Sequence, residues 1–386
     1  MSSFPKAADF NMAAPTSSVL RAILKGALVL AGIIVLLSMY YRSFPSPRCH
    51  PSPKQLTKQD NSQNESVATT PSSSLPGEQQ ADKPVVLLWF WPESKKFDFQ
   101  VCKKLNINNC RLTDDRSLYS SAHAVLIFHK AIKDDLSNLP TTPRPAFQRW
   151  IWLNMDPPSN TLKIAGIESL FNLTASFRED ADIHVRWQLT AKKHMDDNFV
   201  LPEKEHLLCW IVNSSDLDTQ TGEEYRYYKE LIKYIKVDIF DSSSNESSRG
   251  ENYFRTISSC KFFLSFENSD HKDHITETFN GPLAAGTVPI VLGPLRKNYE
   301  RFVPSTSFIH VNDFPDPLAL AEFLLKLDDD NEAYMKYFDW RHFYNVRRHF
   351  TEENHAFALA ICQACRHIGI THEFRVVRDL YKWFFI

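Results

Sequence analysis

The sequence has almost no net charge, and this narrows the range of partners. Its 386 residues include 44 lysines and arginines against 46 aspartates and glutamates, so the formal net charge is −2. This balance gives no basic footprint for nucleic acid and leaves small molecules, glycans and proteins as partners. No internal repeat is visible. The apolar content of 43% and aromatic content of 13% suffice for one large core or two ordinary ones.

A single apolar segment lies near the N-terminus, at residues 19–41. Its uncharged part, Gly26–Tyr41, reaches bilayer length when the preceding basic side chains extend toward the headgroups. We predict a cytoplasmic tail over residues 1–18 and a transmembrane signal-anchor over residues 19–41, with the rest of the chain in the secretory lumen. The alternative is a cleaved signal peptide, but no small-residue cleavage pattern follows the apolar run.

Residues 42–83 and the sequons also indicate a luminal protein. The segment is rich in proline, serine, threonine and glutamine and has almost no aromatic side chains, so we predict a disordered stem. Asn-x-Ser/Thr sequons predict glycosylation at Asn64, Asn172, Asn213 and Asn245.

The seven cysteines suit an oxidising compartment, where they can pair. Six of them lie beyond the stem and permit many connectivities, so their number alone does not fix the pairing. The seventh, Cys49, lies near the membrane and is free to link two copies of the chain in a homodimer.

After the stem, short apolar runs alternate with polar and helical stretches. Runs that are apolar on both faces are typical of parallel strands covered by helices. They lie at Val85–Trp91, Ala124–His129, Trp150–Met155, Leu207–Val212, Lys236–Phe240, Phe262–Glu267, Val288–Gly293 and Phe308–Val311. Helices are predicted between and after them at Tyr225–Ile235, Thr276–Ala285 and Leu318–Leu327. This alternation predicts an α/β fold.

Turn-forming residues from Asn213 to Gly222 predict a boundary between two domains. We therefore predict an N-terminal α/β domain over residues 84–215 and a C-terminal α/β domain over residues 216–360. The two domains would face each other across a cleft, and residues 361–386 would form a closing segment.

The stretch from Cys260 to Arg341 carries several motifs in a fixed order. It contains Phe-Glu-Asn-Ser at 266–269, Ile-Thr-Glu-Thr at 275–278, Val-Pro-Ile-Val-Leu-Gly-Pro at 288–294 and Asn-Tyr-Glu at 298–300. It resembles the donor-binding half of the α1,3-fucosyltransferases, Golgi enzymes that transfer fucose to N-acetylglucosamine. The resemblance extends from Val85 to the C-terminus. It implies a GT-B fold of two Rossmann-like domains that uses GDP-fucose as donor and needs no metal or other cofactor.

The resemblance places the donor beyond a strand end, where nucleotide phosphates meet helix N-termini. In the family motif Tyr-Ile-Thr-Glu-Lys, the Glu holds the ribose and the Tyr and Lys contact the guanosine diphosphate. These positions hold Glu277, His274 and Thr278. Loss of the Lys removes a charge-assisted contact of about 1.5–3 kcal/mol. We expect a protonated His274 to restore part of that charge at mildly acid pH.

Two more donor contacts follow from the same resemblance. A family Arg that precedes a Tyr-Tyr pair falls on Glu224, and the next basic position holds Arg226. Arg226 is therefore a candidate ligand of the diphosphate; the alternative is a solvated helix face. Asn268 belongs to a Glu-Asn-Ser match that faces the donor sugar in the family, and the alternative is that it caps the loop.

Inverting sugar transfer needs a carboxylate that accepts the proton of the attacking hydroxyl. The family supplies a Glu at the end of a strand, and the matching position holds Asp156, one methylene shorter. We predict Asp156 as the general base; the alternative is that it only begins the Asp-Pro-Pro turn. A placement error of about an ångström can cost about a hundredfold in rate.

The resemblance also implies the disulfides and the location. It pairs Cys102 and Cys110 with Cys362 and Cys365, which would strap residues 361–386 to the first domain, and it pairs Cys209 with Cys260. It implies a single-pass type II protein of the Golgi membrane that modifies glycoprotein or glycolipid glycans in Lewis x-type synthesis.

Two rival interpretations remain open. The Asp-x-Asp triplets at 180–182, 216–218 and 328–330 match the metal site of other sugar transferases, although acid-rich chains often contain such triplets. The second rival is a glycan-binding or scaffold protein whose activity is weakened or lost. It rests on the replacement of four chemistry-bearing family residues by Asp156, Glu224, His274 and Thr278.

Overall fold

The continuous apolar runs of the sequence fold into two parallel sheets. They are seen in a computed structural model that describes residues 83–386, apart from 197, 214 and 244–249. No helix within the described residues is long and apolar enough to cross a membrane. Several predictions concern residues outside this range: the tail, the signal-anchor, nearly all of the stem, Cys49, Asn64 and Asn245.

The first sheet has six strands, in the order β2-β1-β3-β4-β5-β6, and all its pairings are parallel. The strands are β1 (Val85–Leu88), β2 (Arg111–Thr113), β3 (Ala124–Phe128), β4 (Arg149–Asn154), β5 (Leu173–Ser176) and β6 (Ile183–His184), and helix α1 (Val101–Lys104) lies between β1 and β2. Strands β3 and β4 are buried along their whole length. A parallel sheet covered on both faces accounts for their unbroken apolar sequence.

The second sheet has five strands, in the order β12-β11-β10-β8-β9, and is also parallel throughout. After the short strand β7 (Thr190–Ala191), its strands are β8 (His206–Val212), β9 (Asp238–Asp241), β10 (Cys260–Phe266), β11 (Val288–Leu292) and β12 (Ile309–His310). Its helices are α2 (Asp216–Thr219), α3 (Glu223–Leu231), α4 (Gly250–Ser258), α5 (Glu277–Ala285), α6 (Arg296–Tyr299), α7 (Pro317–Asp329) and α8 (Asn331–Met335). Strand β13 (Tyr344–Asn345) pairs antiparallel with β7. The prediction of an α/β fold with two sheets is confirmed.

Short 3₁₀ turns join several of these elements. They lie at Pro92–Ser94, Arg116–Ser121, His129–Ala131, Pro158–Asn160, Val311–Asp313, Lys336–His342 and Glu353–His355.

The boundary between the two sheets lies before β8, whereas the predicted domain boundary near residue 215 follows that strand. β8 pairs with β10, so it belongs to the second sheet although the prediction assigned it to the domain 84–215. The turn-forming residues from Asn213 to Gly222 lie mostly in the connection between β8 and α3. Such residues mark a strand-to-helix loop as readily as a domain linker, so their composition did not separate the two cases.

Local sequence explains where the predicted helices begin. Helix α7 starts with Pro317, which needs no hydrogen-bond partner for its nitrogen, and the Asp316 side chain accepts from the backbone N of Ala319 at 2.8 Å. Helix α5 starts after Thr276 and is capped at its C-terminus by Gly286. The φ of Gly286 is 80°, a backbone angle that glycine adopts without strain.

The last part of the chain returns to the first sheet. Helix α9 (Ala358–Ile370) packs into the same apolar core as β1 and β3, and helix α10 (Leu380–Phe384) packs on the opposite core around Trp152. The disulfides Cys102–Cys362 and Cys110–Cys365 join α9 to the region around α1, and Cys209–Cys260 joins β8 to β10. These are the pairs that the resemblance implies.

Candidate functional site

A cavity of about 160 Å³ lies between the two sheets. On one side it is lined by Met155, Phe177 and Val185–Trp187, which directly follow β4, β5 and β6. On the other side it is lined by His274–Glu277, at the start of α5, and the lining is completed by Ala356, Phe357, Leu359 and Ala360. Ligands of parallel α/β sheets bind beyond the carboxyl ends of the strands, and this cavity lies there.

Glu267 ties the end of β10 to the start of α5. Its Oε1 accepts hydrogen bonds from the backbone N of Thr276 at 2.8 Å and from Thr278 Oγ1 at 3.2 Å. Burial raises the pKa of the Glu267 carboxyl to about 7, although the Thr276 hydrogen bond opposes this shift. Sequence reasoning noted the Glu-Asn-Ser motif but did not single out Glu267 as a site residue.

Glu277, the predicted ribose ligand, is the first residue of α5 and lines the cavity. Burial raises the pKa of its carboxyl, and its charge contributes to the raised pKa of Glu267. The start of α5 therefore brings two carboxyl groups close together, of which Glu277 lines the cavity and Glu267 binds the protein backbone.

His274 lines the cavity but does not supply the expected positive charge. The side chain is 5% exposed, and its ring packs edge-to-face on Phe177 with 5.0 Å between the centroids. Burial, together with the nearby charges of His271 and Arg186, lowers the pKa of His274 to about 4. The expectation of a protonated His274 at mildly acid pH is therefore wrong, since the imidazole stays neutral there.

Thr278 lies at the mouth of the site, on the first turn of α5. It is exposed, its backbone N donates to Thr276 Oγ1 at 3.3 Å, and its hydroxyl binds Glu267. These contacts stabilise the helix N-terminus but bring no charge to replace the family Lys.

Arg226 and Asn268 do not line the cavity. Arg226 is exposed on α3, whose Tyr228 packs against Trp210 with 5.1 Å between ring centroids. Asn268 is exposed in the loop after β10. In this arrangement the side chain of Arg226 occupies a solvated helix face, the alternative weighed for it.

Asp156 lies at the rim of the cavity, where β4 ends. Its side chain is 34% exposed, and its Oδ2 is 3.9 Å from Lys130 Nζ. The buried Asn154 holds the turn, because its Nδ2 donates to the backbone O of Asp156 at 3.2 Å and to Thr161 Oγ1 at 2.9 Å. Asp156 thus begins a turn and carries a partly exposed carboxylate next to the cavity residue Met155.

A buried histidine lies near Asp156 on the side away from solvent. Trp152 Nε1 donates to His129 Nδ1 at 3.1 Å, so the His129 proton is on Nε2, 2.8 Å from the backbone O of Leu162. Burial lowers the pKa of His129, and the charge of Asp156 opposes this shift. The neutral His129 imidazole is held by these two hydrogen bonds in the buried region next to Asp156.

Arg186 is a cavity residue that sequence reasoning missed. Its Nη2 donates to the backbone O of Asp273 at 2.6 Å, and its guanidinium lies 3.2 Å from the ring centroid of Phe302. Its Nε and Nη1 are buried and have no hydrogen-bond partner within the described part of the chain. The available signal was a basic residue soon after a strand end, but β6 has only two residues and forms no recognisable apolar run.

Comparison with known proteins identifies the family. Residues 81–188 match the family model described as fucosyltransferase, N-terminal, and residues 201–383 match that of glycosyltransferase family 10 (fucosyltransferase) C-term. The chain belongs to glycosyltransferase family 10. The gap between the two matched regions, residues 189–200, agrees with a boundary before β8.

Two relatives illustrate the similarity of this family 10 chain. It is 43% identical over 304 residues to the 4-galactosyl-N-acetylglucosaminide 3-alpha-L-fucosyltransferase 9 of Rattus norvegicus, covering 78% of this chain and 82% of the relative. It is 36% identical over 329 residues to the 3-galactosyl-N-acetylglucosaminide 4-alpha-L-fucosyltransferase FUT3 of Pan troglodytes, covering 83% and 86%.

A solved alpha1,3-fucosyltransferase with GDP-fucose also matches this family 10 chain. Its TM-score is 0.48 at 15% identity, over 79% of this chain and 96% of that one.

The acidic triplets at 180–182 and 328–330 of this family 10 chain contain side chains that are engaged in protein contacts. Asp180 binds Arg178 at 2.8 Å, Asp182 accepts from Thr174 Oγ1 at 2.9 Å, and Asp328 pairs with Lys261. Among the described residues, no group of three or more His, Cys, Asp or Glu side chains could hold a metal ion.

The two described sequons differ sharply. The Asn172 side chain is 3% exposed, its Nδ2 donates to the backbone O of Arg375 at 2.8 Å, and its Oδ1 accepts from the backbone N of Trp150 at 2.9 Å. This packing contradicts the prediction of a glycan at Asn172, since the folded chain leaves no room for one. Asn213 lies in the loop after β8, and glycosylation there stays a prediction.

Proposed function

We propose that the protein transfers L-fucose from GDP-fucose to O3 of N-acetylglucosamine in N-acetyllactosamine-type glycans, with inversion at the fucose carbon. Family membership and the 43% identity to a 3-fucosyltransferase support this function. The observation that carries it is the shared cavity, because Met155, the neighbour of Asp156, and Glu277 line the same space. We assign the two-sheet architecture to the GT-B type, with acceptor and donor on opposite sides of that space.

The donor half supplies hydrogen-bond acceptors and a helix terminus. Glu277 is placed to accept from the ribose hydroxyls, as the resemblance implies, and Glu267 fixes the loop on which it stands. The N-terminus of α5 carries partial positive charge that favours a phosphate. His274 contributes a neutral ring, and its buried Nδ1 has no partner within the described residues.

The acceptor half supplies the base. Asp156 accepts the proton of the O3 hydroxyl while that oxygen attacks the fucose carbon. The turn held by Asn154 and Thr161 fixes the backbone of Asp156, so the carboxylate approaches the acceptor from a defined direction. We further propose that glycoprotein or glycolipid glycans are the acceptors and that the protein acts in the Golgi lumen as a single-pass type II membrane protein.

A glycan-binding or scaffold role is the second candidate. It is favoured by the absence of a cation from position 278 and by a base one methylene shorter than the family Glu. In that case the cavity binds nucleotide or glycan without turnover.

The test is to incubate the full-length protein, purified in detergent, with GDP-fucose and N-acetyllactosamine and to measure the mass of the glycan. A gain of one fucose supports the transferase. No product from the unchanged protein, together with product from the Asp156→Glu/Thr278→Lys variant, supports the scaffold role instead.

A further inference from the structure

We propose that Arg186 binds the diphosphate of the donor and supplies the positive charge that the α5 motif lacks at Thr278. The inference rests on the proposed function and names one ligand contact within it. Arg186 belongs to the acceptor half, whereas the family Lys position, 278, belongs to the donor half. The positive charge of Arg186 would therefore reach the diphosphate from the opposite side of the cavity.

The first support is position. Arg186 lines the same cavity as Thr276 and Glu277, at the N-terminus of α5. The Nη2 contact with the backbone O of Asp273 and the packing of the guanidinium on Phe302 hold the side chain in one orientation. A side chain fixed in this way loses little further conformational entropy when it binds a ligand.

The second support is unmet hydrogen bonding. Nε and Nη1 of Arg186 are shielded from solvent and have no acceptor within the described part of the chain. Native proteins rarely leave buried donors unpaired, and a buried cationic donor is especially costly. A guanidinium with free donors beside an open cavity suits an anionic ligand, and phosphate oxygens accept such bonds strongly.

The third support is electrostatic. Burial lowers the pKa of Arg186 to about 10, while Asp273, Tyr299 and Glu267 oppose the shift, so the side chain stays protonated at neutral pH. The Asp273 carboxylate is occupied by other groups, since it accepts from Asn298 Nδ2 at 2.6 Å and from the backbone N of Glu179 at 3.1 Å. The Asp273 carboxylate therefore does not hydrogen-bond to the guanidinium.

The charge matters most during transfer. The O3 hydroxyl of the acceptor gives its proton to Asp156 as a bond forms between O3 and the fucose carbon. The bond from that carbon to the terminal phosphate oxygen breaks, and its electron pair leaves with GDP. Negative charge therefore grows on the departing phosphate, and a fixed cation lowers the barrier.

The test compares Arg186→Met with the matched control Arg301→Met. Arg301 also lies near the Phe302 ring and pairs with Glu179, but it does not line the cavity. Calorimetry measures the affinities for GDP and GMP, and thermal unfolding verifies that each variant is folded. Should Arg186→Met fail to fold, Arg186→Gln keeps a donor for Asp273 and serves in its place.

We expect Arg186→Met to lower the affinity for GDP about tenfold to a hundredfold and to leave the affinity for GMP almost unchanged. The preference for GDP over GMP should therefore be largely lost. Arg301→Met should keep the preference, and Thr278→Lys added to Arg186→Met should restore part of it. An unchanged preference in Arg186→Met overturns this inference alone. Failure of the unchanged protein to bind GDP overturns the proposed function as well.

Discussion

The carboxylate of Glu267 accepts a hydrogen bond from the backbone N of Thr276 at 2.8 Å and so joins the end of β10 to the start of α5. This contact fixes the segment between them, which carries His274 into the cavity. Because the carboxylate is buried, its protonation state is coupled to the stability of the donor half.

Glu267→Gln should change the pH dependence of stability. The pKa of Glu267 is raised from its usual 4.5 to about 7 in the folded protein, so folding binds protons and this group's contribution falls as pH rises between those values. The full effect is up to about 3 kcal/mol. The Tm of Glu267→Gln relative to the unchanged protein should therefore rise between about pH 5 and pH 8. The exposed Glu322→Gln is the control and should show no such trend.

His274→Tyr restores the family residue. The variant should change the affinity for GDP by the same factor at mildly acid and at neutral pH. Because burial lowers the pKa of His274 to about 4, the imidazole is neutral at both about pH 5.5 and pH 7. The ratio of GDP affinities of the variant and the unchanged protein, measured by calorimetry, should not differ between these pH values. A ratio that changes several-fold would show that His274 titrates in this range.

Asp156→Asn should lower kcat by about 10²–10⁴-fold, because it removes the proton acceptor while leaving the donor half intact. GDP affinity should stay the same. Steady-state kinetics with calorimetry separates the two effects, and the exposed Asp134→Asn on the same half is the matched control. Equal loss of kcat in both variants, or no loss in Asp156→Asn, removes Asp156 from the mechanism.

Loss of the Cys102–Cys362 disulfide should loosen helix α9 from the first sheet. The bond closes a sequence separation of 260 residues, and removal of a native disulfide typically costs about 2–5 kcal/mol. Cys102→Ala/Cys362→Ala should lower the Tm of the oxidised protein and make the region around α9 sensitive to proteolysis. The remaining disulfide Cys110–Cys365 and Arg149, which donates to the backbone O of Thr371 at 2.6 Å, should keep α9 docked in part. An unchanged Tm would contradict the strapping role.

Apolar runs allowed most of the strands to be predicted, whereas buried polar residues hid strand β5. Strands β1, β3, β4 and β8–β12 fall on the predicted runs. Strand β5 was missed because Thr174 and Ser176 interrupt its apolar pattern, although both are buried. The backbone N and the hydroxyl of Thr174 both donate to Asp182 Oδ2, at 2.9 Å each. Strand periodicity does not reveal this contact.

The candidate site was partly predictable from sequence because its motif residues are close in the chain. His274, Glu277 and Thr278 lie together at the start of α5, as local sequence indicated. The charge state of His274 was mispredicted, because its burial depends on packing against Phe177 from the other sheet. Arg186 was missed for the same physical reason, since its role follows from contacts between segments far apart in sequence.

Linkage analysis of the product tests the central claim most directly. The full-length protein is incubated with GDP-fucose and N-acetyllactosamine, and NMR locates the added fucose, with Asp156→Asn run in parallel. We predict fucose on O3 of N-acetylglucosamine with the unchanged protein, and GDP binding without product in the variant. No fucosylated product from the unchanged protein, or equal product from Asp156→Asn, would contradict transfer in the cavity between the two sheets.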